Sequence, residues 1–239
     1  MIARIGPGRV LAVSVGRAGT LSRGSRSVES AFAKHTVGGP VPLRELGFDG
    51  DEQVYETHGG PDKAVLVYSR DNYGFWIDTY GLVLPTYSAF GENLTVVGLP
   101  ETDVFLGDVF RLGDATVQVT EPRAPCFKHS IRYGVTKMAI YMQRSGRTGY
   151  LLRVLEEGAV QAGDTLVLES RKAHGITVAE ANRIINVDRK DLDGARRLLT
   201  TDRLPQLIRD ELTARLRAHG FGADVERLYY DQDDAVSVS

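Results

Sequence analysis

Residues 109–119, VFRLGDATVQV, decide the fold that we expect. Two short apolar runs, 109–112 and 115–119, are typical of β-strands, and Gly113-Asp114 between them is typical of a two-residue hairpin turn. The second run leads directly into residues 123–128, RAPCFK, which hold the only cysteine of the chain. Because strand ends in small barrels and sandwiches are rigid and open to solvent, we expect a reactive group at this place.

Outward from this hairpin, glycines break the first three quarters of the chain into short apolar runs, which predict strands joined by turns. A short helix that carries Tyr73 and Trp76, and a second helix at 136–143, are predicted between them. The basic residues 16–27, rich in serine and glycine, are predicted to form a loop. Further strands are predicted at 10–15, 64–68, 89–96, 150–155 and 165–168.

The last quarter of the chain has helical spacing. Thr177 and Glu180 fit a capping box at the start of one helix, residues 191–199 predict a second, and Pro205 suits the first turn of a third that ends at Gly220. Short helices cannot bury an apolar face alone, so these should pack together or against the body of the protein. We therefore divide the chain into a β-rich domain at 1–172, a three-helix extension at 173–220 and a loose acidic tail at 221–239.

Composition excludes several classes of function. The net charge is −2, which provides no electrostatic footprint for nucleic acid or for an anionic membrane. One cysteine cannot form an internal disulfide, and we find neither a signal peptide nor an apolar run of about 18 residues. We expect a cytoplasmic protein that binds neither nucleic acid nor membrane.

The segment around Cys126 is the first candidate site. Arg123 and Lys128 flank the cysteine, and nearby positive charge favours the thiolate, which is the form that attacks electrophiles and binds soft metals. Pro125 restricts the backbone and so directs the thiol. A lone intracellular cysteine is more often a small buried apolar residue, and this alternative remains open.

Three glycine-containing segments are further candidates. His58, Gly59, Gly60 and Lys63 can form an anion-binding hollow, although a tight turn before a strand explains them equally well. Glu92 and Asn93 beside a strand glycine can orient a ligand or cap a turn.

The third segment is a donor-rich loop, 145–149. Arg147 at its centre can bind an anion, or the loop can simply end a helix. No histidine and cysteine set has the spacing of a zinc site.

Taken in order, the segments 58–65, 90–94, 123–128 and 145–149 resemble the MOSC domain, and the helical extension resembles that of its YiiM-like branch. The likeness covers most of residues 5–220. It implies a mostly-β fold with helices, of the α+β class, built on a β-barrel with a small C-terminal helical extension.

The resemblance also implies a cofactor, the molybdenum cofactor (molybdopterin), and a role for each segment. Cys126 matches the protein ligand to molybdenum and would be both the catalytic and the metal-binding residue. The cofactor would be held by residues of the other segments, His58, Gly59, Gly60, Lys63, Glu92, Asn93 and Arg147, and by Arg123 and Lys128 beside the cysteine.

The activity implied by the resemblance is the reduction of N-hydroxylated compounds, including N-hydroxylated bases, by removal of oxygen at molybdenum. Electrons would come from a separate reductase, because no flavin, haem or iron–sulfur motif is visible. The alternative is a non-catalytic carrier of sulfur, as a Cys126 persulfide, or of the cofactor itself. Two further expectations are a helical extension that docks the electron donor and, as an open alternative, a homodimer.

Overall fold

Thirteen strands lie in the part of the chain that the computed structural model describes, residues 6–172, 175–201 and 204–221. Apart from Phe221, the predicted acidic tail lies outside the described residues. The strands are β1 (Gly8–Val15), β2 (Gly19–Arg23), β3 (Arg26–Ser30), β4 (His35–Thr36), β5 (Val41–Arg44), β6 (Gly47–Phe48), β7 (Val65–Ser69), β8 (Leu94–Val97), β9 (Val109–Leu112), β10 (Ala115–Pro122), β11 (Tyr150–Glu156), β12 (Gly158–Val160) and β13 (Thr165–Ser170).

Seven of these described strands close into a barrel in the order β13-β9-β10-β11-β7-β8-β1, and β1 pairs with β13 to complete it. The pair β7–β8 is parallel and the other neighbouring pairs are antiparallel. Alternate side chains of a strand point to opposite faces, so Val65 and Val67 of β7 are fully buried in the core. The side chain between them, Leu66, faces outward and is only partly buried.

The hairpin predicted at 109–119 is confirmed. β9 and β10 pair with Leu112 opposite Ala115, and Gly113 has φ +56°. A Cβ atom at Gly113 would lie 2.6 Å from the carbonyl oxygen of Ala159, so this turn requires glycine for space as well as for conformation.

Two predictions from the sequence are wrong in detail. Residues 16–27 do not form a plain loop, because β2 and β3 make a hairpin in which Leu21 lies opposite Val28. Only these two residues are apolar among the polar ones, so the alternation that predicts a strand was too weak to see. The strand predicted at 89–96 begins only at Leu94, because 88–92 is held in turns by hydrogen bonds described below.

Six α-helices lie in the described residues: α1 (Tyr73–Tyr80), α2 (Lys128–Tyr133), α3 (Met138–Ser145), α4 (Val178–Asn182), α5 (Leu192–Leu199) and α6 (Gln206–Ala218). The cap predicted at Thr177 is confirmed, since its hydroxyl accepts the Glu180 N–H at 3.1 Å. Buried residues of α4, α5 and α6 belong to the same apolar core as the barrel strands. The helices therefore pack both together and against the barrel, and the predicted α+β class is confirmed.

No helix within the described residues is long and apolar enough to cross a membrane.

Candidate functional site

A row of side chains on the outer face of the barrel forms the floor of a cavity of about 410 Å³. Glu121 of β10 lies opposite Leu151 of β11, and Leu151 lies opposite Leu66 of β7. Cross-strand partners point to the same face of a sheet, so these three side chains line the cavity together. Asn93 continues the row, because its side-chain oxygen accepts the Leu66 N–H at 3.0 Å.

Loops from separate parts of the chain build the walls above this floor. They come from the end of β3, from 52–58 and from the segment after β10. The side chain of Asn93 also donates to Asp51 at 2.7 Å, which ties the 52–58 wall to the floor. Asp51 in turn is paired with the buried ammonium group of Lys34. The cavity is thus bounded by interlocked elements.

Cys126 is half-buried in this cavity, at the turn between β10 and α2. The Arg123 N–H donates to the Gly149 carbonyl at 3.0 Å, and the Cys126 carbonyl accepts the His129 N–H at 3.2 Å. Nδ1 of His129 lies 3.0 Å from the same carbonyl. These bonds fix the backbone on both sides of the thiol, as Pro125 predicts.

The guanidinium group of Arg123 is incompletely paired. Its Nη2 donates to the Phe90 carbonyl at 3.2 Å, whereas its buried Nη1 has no hydrogen-bond partner in the structure. Burial lowers the pKa of Arg123, and the nearby Cys126 works in the opposite direction. A buried cationic donor that lines a cavity without a partner is what an anionic ligand requires.

Lys128 adds a second buried cation, 3% exposed, on the other side of the cysteine. Its Nζ lies 4.3 Å from the centre of the Tyr55 ring, a cation–π contact that holds it in the cavity wall. Burial lowers the pKa of Lys128, and Cys126 again opposes the shift.

His58 and Lys63 line the cavity from the loop before β7. Lys63 Nζ donates to the Thr57 carbonyl at 2.9 Å, and an ion pair of 2.6 Å between Asp62 and Arg153 anchors the turn to the barrel. Burial lowers the pKa of His58, and the charges of Lys128, Arg123 and Lys63 lower it further. Three cations therefore converge around this histidine.

Glu92 lies behind the cavity wall and is fully buried. Its carboxylate accepts the Tyr73 O–H at 2.5 Å, the Thr95 O–H at 2.9 Å and the Phe90 N–H at 2.8 Å. Burial raises its pKa. All three donors belong to this chain, so Glu92 stabilises the fold and its carboxylate is not available to bind a ligand.

The structure thus brings together Cys126 and most of the predicted site residues: His58, Lys63, Asn93, Arg123 and Lys128. Gly59, Gly60, Glu92 and Arg147 are not among the residues that line the cavity. Gly60 has φ +102° and shapes the turn. The Arg147 guanidinium lies 4.1 Å from the centre of the Phe75 ring and donates to the Ser145 carbonyl at 3.3 Å, in the manner of a loop that ends a helix.

Among the cavity residues that sequence reasoning missed are Glu121, Leu66, Leu151 and Leu207. The signal for Glu121 was its place two residues before Arg123, at the end of a strand. The leucines gave no signal, because strand register decides which face they occupy. No cluster of three or more His, Cys, Asp or Glu side chains that could hold a metal ion is found among the residues described.

A small β-barrel with a cysteine and several cations in one outer cavity defines the class of protein. The family model for the MOSC domain matches residues 54–167. The chain is 44% identical over 192 residues to the uncharacterized protein YflK of Bacillus subtilis, across 80% of this chain and 86% of that protein. The crystal structure of YiiM from Geobacillus stearothermophilus matches with a TM-score of 0.75 and 30% identity, over 88% of this chain and all of that one.

A third relative, named reductase, comes from Gibberella moniliformis. It is 35% identical over 189 residues, which are 75% of this chain and 32% of the fungal protein. The chain belongs to the MOSC domain family, with YiiM proteins among its homologues.

Proposed function

We propose that the cavity binds the molybdenum cofactor through Cys126 and that the protein reduces N-hydroxylated compounds. The observation that carries the proposal is the shared lining of one cavity by the cysteine and the incompletely paired guanidinium of Arg123. A soft ligand for a metal and a buried donor for an anion are both needed by a pterin dithiolene that carries a phosphate.

The residues present fit this group. Cys126 provides one soft ligand, which suits a metal that receives other ligands from the cofactor's own dithiolene. Arg123 and Lys128 provide positive charge for the phosphate, whereas Lys63 is paired with Glu121. Asn93 is committed to the chain through both ends of its amide, so we assign it to the floor of the cavity and not to a direct bond with the cofactor.

When bound, the cofactor would supply two-electron removal of oxygen, by which an N–OH group becomes N–H and water is released with two protons taken up. The chain's own residues hold and orient the reactants. The backbone bonds at Arg123 and Cys126 fix the thiol direction, and the walls from 52–58 and 123–128 limit access of water to the floor.

Electrons would come from a separate reductase. The fungal relative supports this part of the proposal, because its name is reductase and the match covers only 32% of its length. The remainder of that protein is long enough for further domains, whereas the present sequence shows no motif for a second redox group.

An assay of N-hydroxy reduction tests the proposal. Protein made in a host that synthesises the cofactor, supplied with a chemical reductant, should convert an amidoxime into the amidine. Cys126→Ala should reduce the rate to that of the reductant alone. An equal rate in the two proteins would contradict the assignment of Cys126.

The same preparation tests the alternative function. Intact-protein mass spectrometry that finds one additional sulfur on Cys126, together with a rate no higher than that of the reductant alone, would instead support the carrier of persulfide sulfur.

A further inference from the structure

We propose that Glu121, with the leucine wall formed by Leu66, Leu151 and Leu207, is a subsite for flat substrates whose N–OH carbon also bears an N–H donor. Amidoximes and N-hydroxylated aminoheterocycles are such compounds. The inference rests on the proposed function and identifies the part of the cavity that recognises the substrate.

Glu121 lines the cavity and has one buried carboxylate oxygen whose hydrogen bonding is incomplete. The residue is 7% exposed, and its Oε1 has no hydrogen-bond partner. Lys63 Nζ lies 3.6 Å from that atom, which is an ion pair beyond hydrogen-bond distance. Asp62 and Arg153 are the other charged groups near it. Lys63 is held at ion-pair distance, so an N–H from a ligand would add a short hydrogen bond that the chain does not provide.

The leucine wall gives the subsite its shape. Leu151 lies beside Glu121 in the cross-strand row and Leu66 lies beyond Leu151, so an apolar surface extends away from the carboxylate. Leu207 joins them from α6 and is 67% exposed, which places it at the open side of the cavity. A ligand with a flat apolar body and a polar edge satisfies both the leucines and the carboxylate.

Charge separates this subsite from the part of the cavity that suits the cofactor. Arg123 and Lys128 stand on either side of Cys126 and attract an anion, whereas a carboxylate repels a phosphate. A neutral substrate with N–H donors has no such conflict with Glu121.

Two probes of nearly equal shape test the subsite. Benzamidoxime carries an amino group on the carbon that bears the N–OH nitrogen, and acetophenone oxime carries a methyl group there. Binding of each to the holoprotein is measured by calorimetry without an electron donor, so that no turnover is needed. We expect the wild type to bind benzamidoxime more tightly, by roughly tenfold or more, because one hydrogen bond to a charged group is gained.

Substitutions assign the preference to Glu121. Glu121→Leu should remove the preference for benzamidoxime, and Glu121→Gln should reduce it. Both variants should bind acetophenone oxime with an affinity within about twofold of that of the wild type. Leu207→Ala should weaken the binding of both probes equally. Leu46 is a similarly exposed leucine outside the cavity lining, so Leu46→Ala should change the binding of neither probe.

If Glu121→Leu binds benzamidoxime in preference to acetophenone oxime as strongly as the wild type does, the proposed subsite is wrong, even if the protein reduces both probes. Failure of the holoprotein to reduce either probe would count against the proposed function, while the binding preference would still support or overturn the subsite. A loss of bound pterin in Glu121→Gln, with the probe preference retained, would mean that Glu121 binds the cofactor and would also overturn the inference.

Discussion

Two buried polar regions meet at residues 88–93 and differ in how their polar atoms are paired. In the scaffold around Glu92, the carboxylate accepts hydrogen bonds from Tyr73, Thr95 and Phe90. In the cavity, Nη1 of Arg123 and Oε1 of Glu121 have no hydrogen-bond partner. Buried polar groups are usually paired by the chain, so an unpaired atom on a residue that lines a cavity is a candidate to bind a ligand.

Phe90 connects the two regions. Its N–H donates to Glu92 in the scaffold, and its carbonyl accepts from Arg123 in the cavity. The scaffold therefore holds the guanidinium in place, although it touches no ligand itself. Substitutions on the two sides should have different consequences, on stability in one case and on binding in the other.

The largest effect is expected on stability, from the scaffold. Glu92→Gln should lower the free energy of unfolding by about 1–3 kcal/mol. The new amide NH₂ group cannot accept a hydrogen bond, so at least one buried donor that now binds the carboxylate loses its partner. Glu169→Gln, which removes only an exposed ion pair with Arg111, should cost about 0–1 kcal/mol. Urea denaturation of the two variants measures the difference, and equal losses would contradict the scaffold role of Glu92.

The second largest effect is expected on cofactor binding, when an arginine that lines the cavity is substituted. Arg123→Met should lower the affinity for the cofactor by roughly tenfold or more, because the anion loses a charge-assisted hydrogen bond. Arg147→Met should retain the affinity, since that guanidinium packs on Phe75 outside the cavity lining.

Pterin content after dialysis, with thermal unfolding of each variant as a control for folding, gives the comparison. Loss of cofactor in Arg147→Met but not in Arg123→Met would reverse our assignment of the two arginines.

The smallest effect is expected from pH. The pKa of His58 lies below its ordinary value, and a bound anion would raise it. Protons are then taken up on binding, so affinity for sulfate, which does not titrate in this range, should rise as the pH falls through the raised pKa of the bound state and then level off below the pKa of the free protein. The gain is about tenfold for each unit by which the anion raises the pKa.

The matched variant is His58→Asn in cofactor-free protein. Its sulfate affinity should depend less on pH than that of the wild type, and any remaining dependence would come from groups such as Glu121. An undiminished pH dependence in the variant would show that His58 does not face the anion.

The same linkage affects stability, with a definite sign. Because the pKa of His58 is lowered on folding, its contribution to the stability of the protein is fully present above its ordinary pKa of about 6.5. This contribution is lost as the pH falls below that value, since the unfolded chain then binds the proton more readily. Bound sulfate should reduce the loss.

Local sequence predicted the parts of the molecule that depend on local chemistry. The Gly113-Asp114 turn and the Thr177 cap follow from residues next to them, and both are confirmed. The cations and proline around Cys126 likewise indicated the cavity segment. The hairpin of β2 and β3 was missed, because its only apolar pair is Leu21 and Val28.

Register and packing could not be predicted in the same way. The row of Glu121, Leu151 and Leu66 exists because three strands pair in a particular alignment, and a slip of one residue in any of these strands would turn its member of the row inward. Leu207 reaches the cavity only because α6 packs on the barrel. Arg147 shows another limit of local sequence, since a donor-rich loop looks the same in sequence whether it binds an anion or ends a helix.

The central claim is that Cys126 holds a molybdenum centre in this cavity. The most direct measurement is the molar ratio of molybdenum and of pterin to protein, for the wild type and for Cys126→Ala, both purified from a host that synthesises the cofactor. We predict that the wild type contains both components and that Cys126→Ala, folded equally well by thermal unfolding, has lost most of its molybdenum. Equal molybdenum in the two proteins, or none in the wild type, would contradict the account.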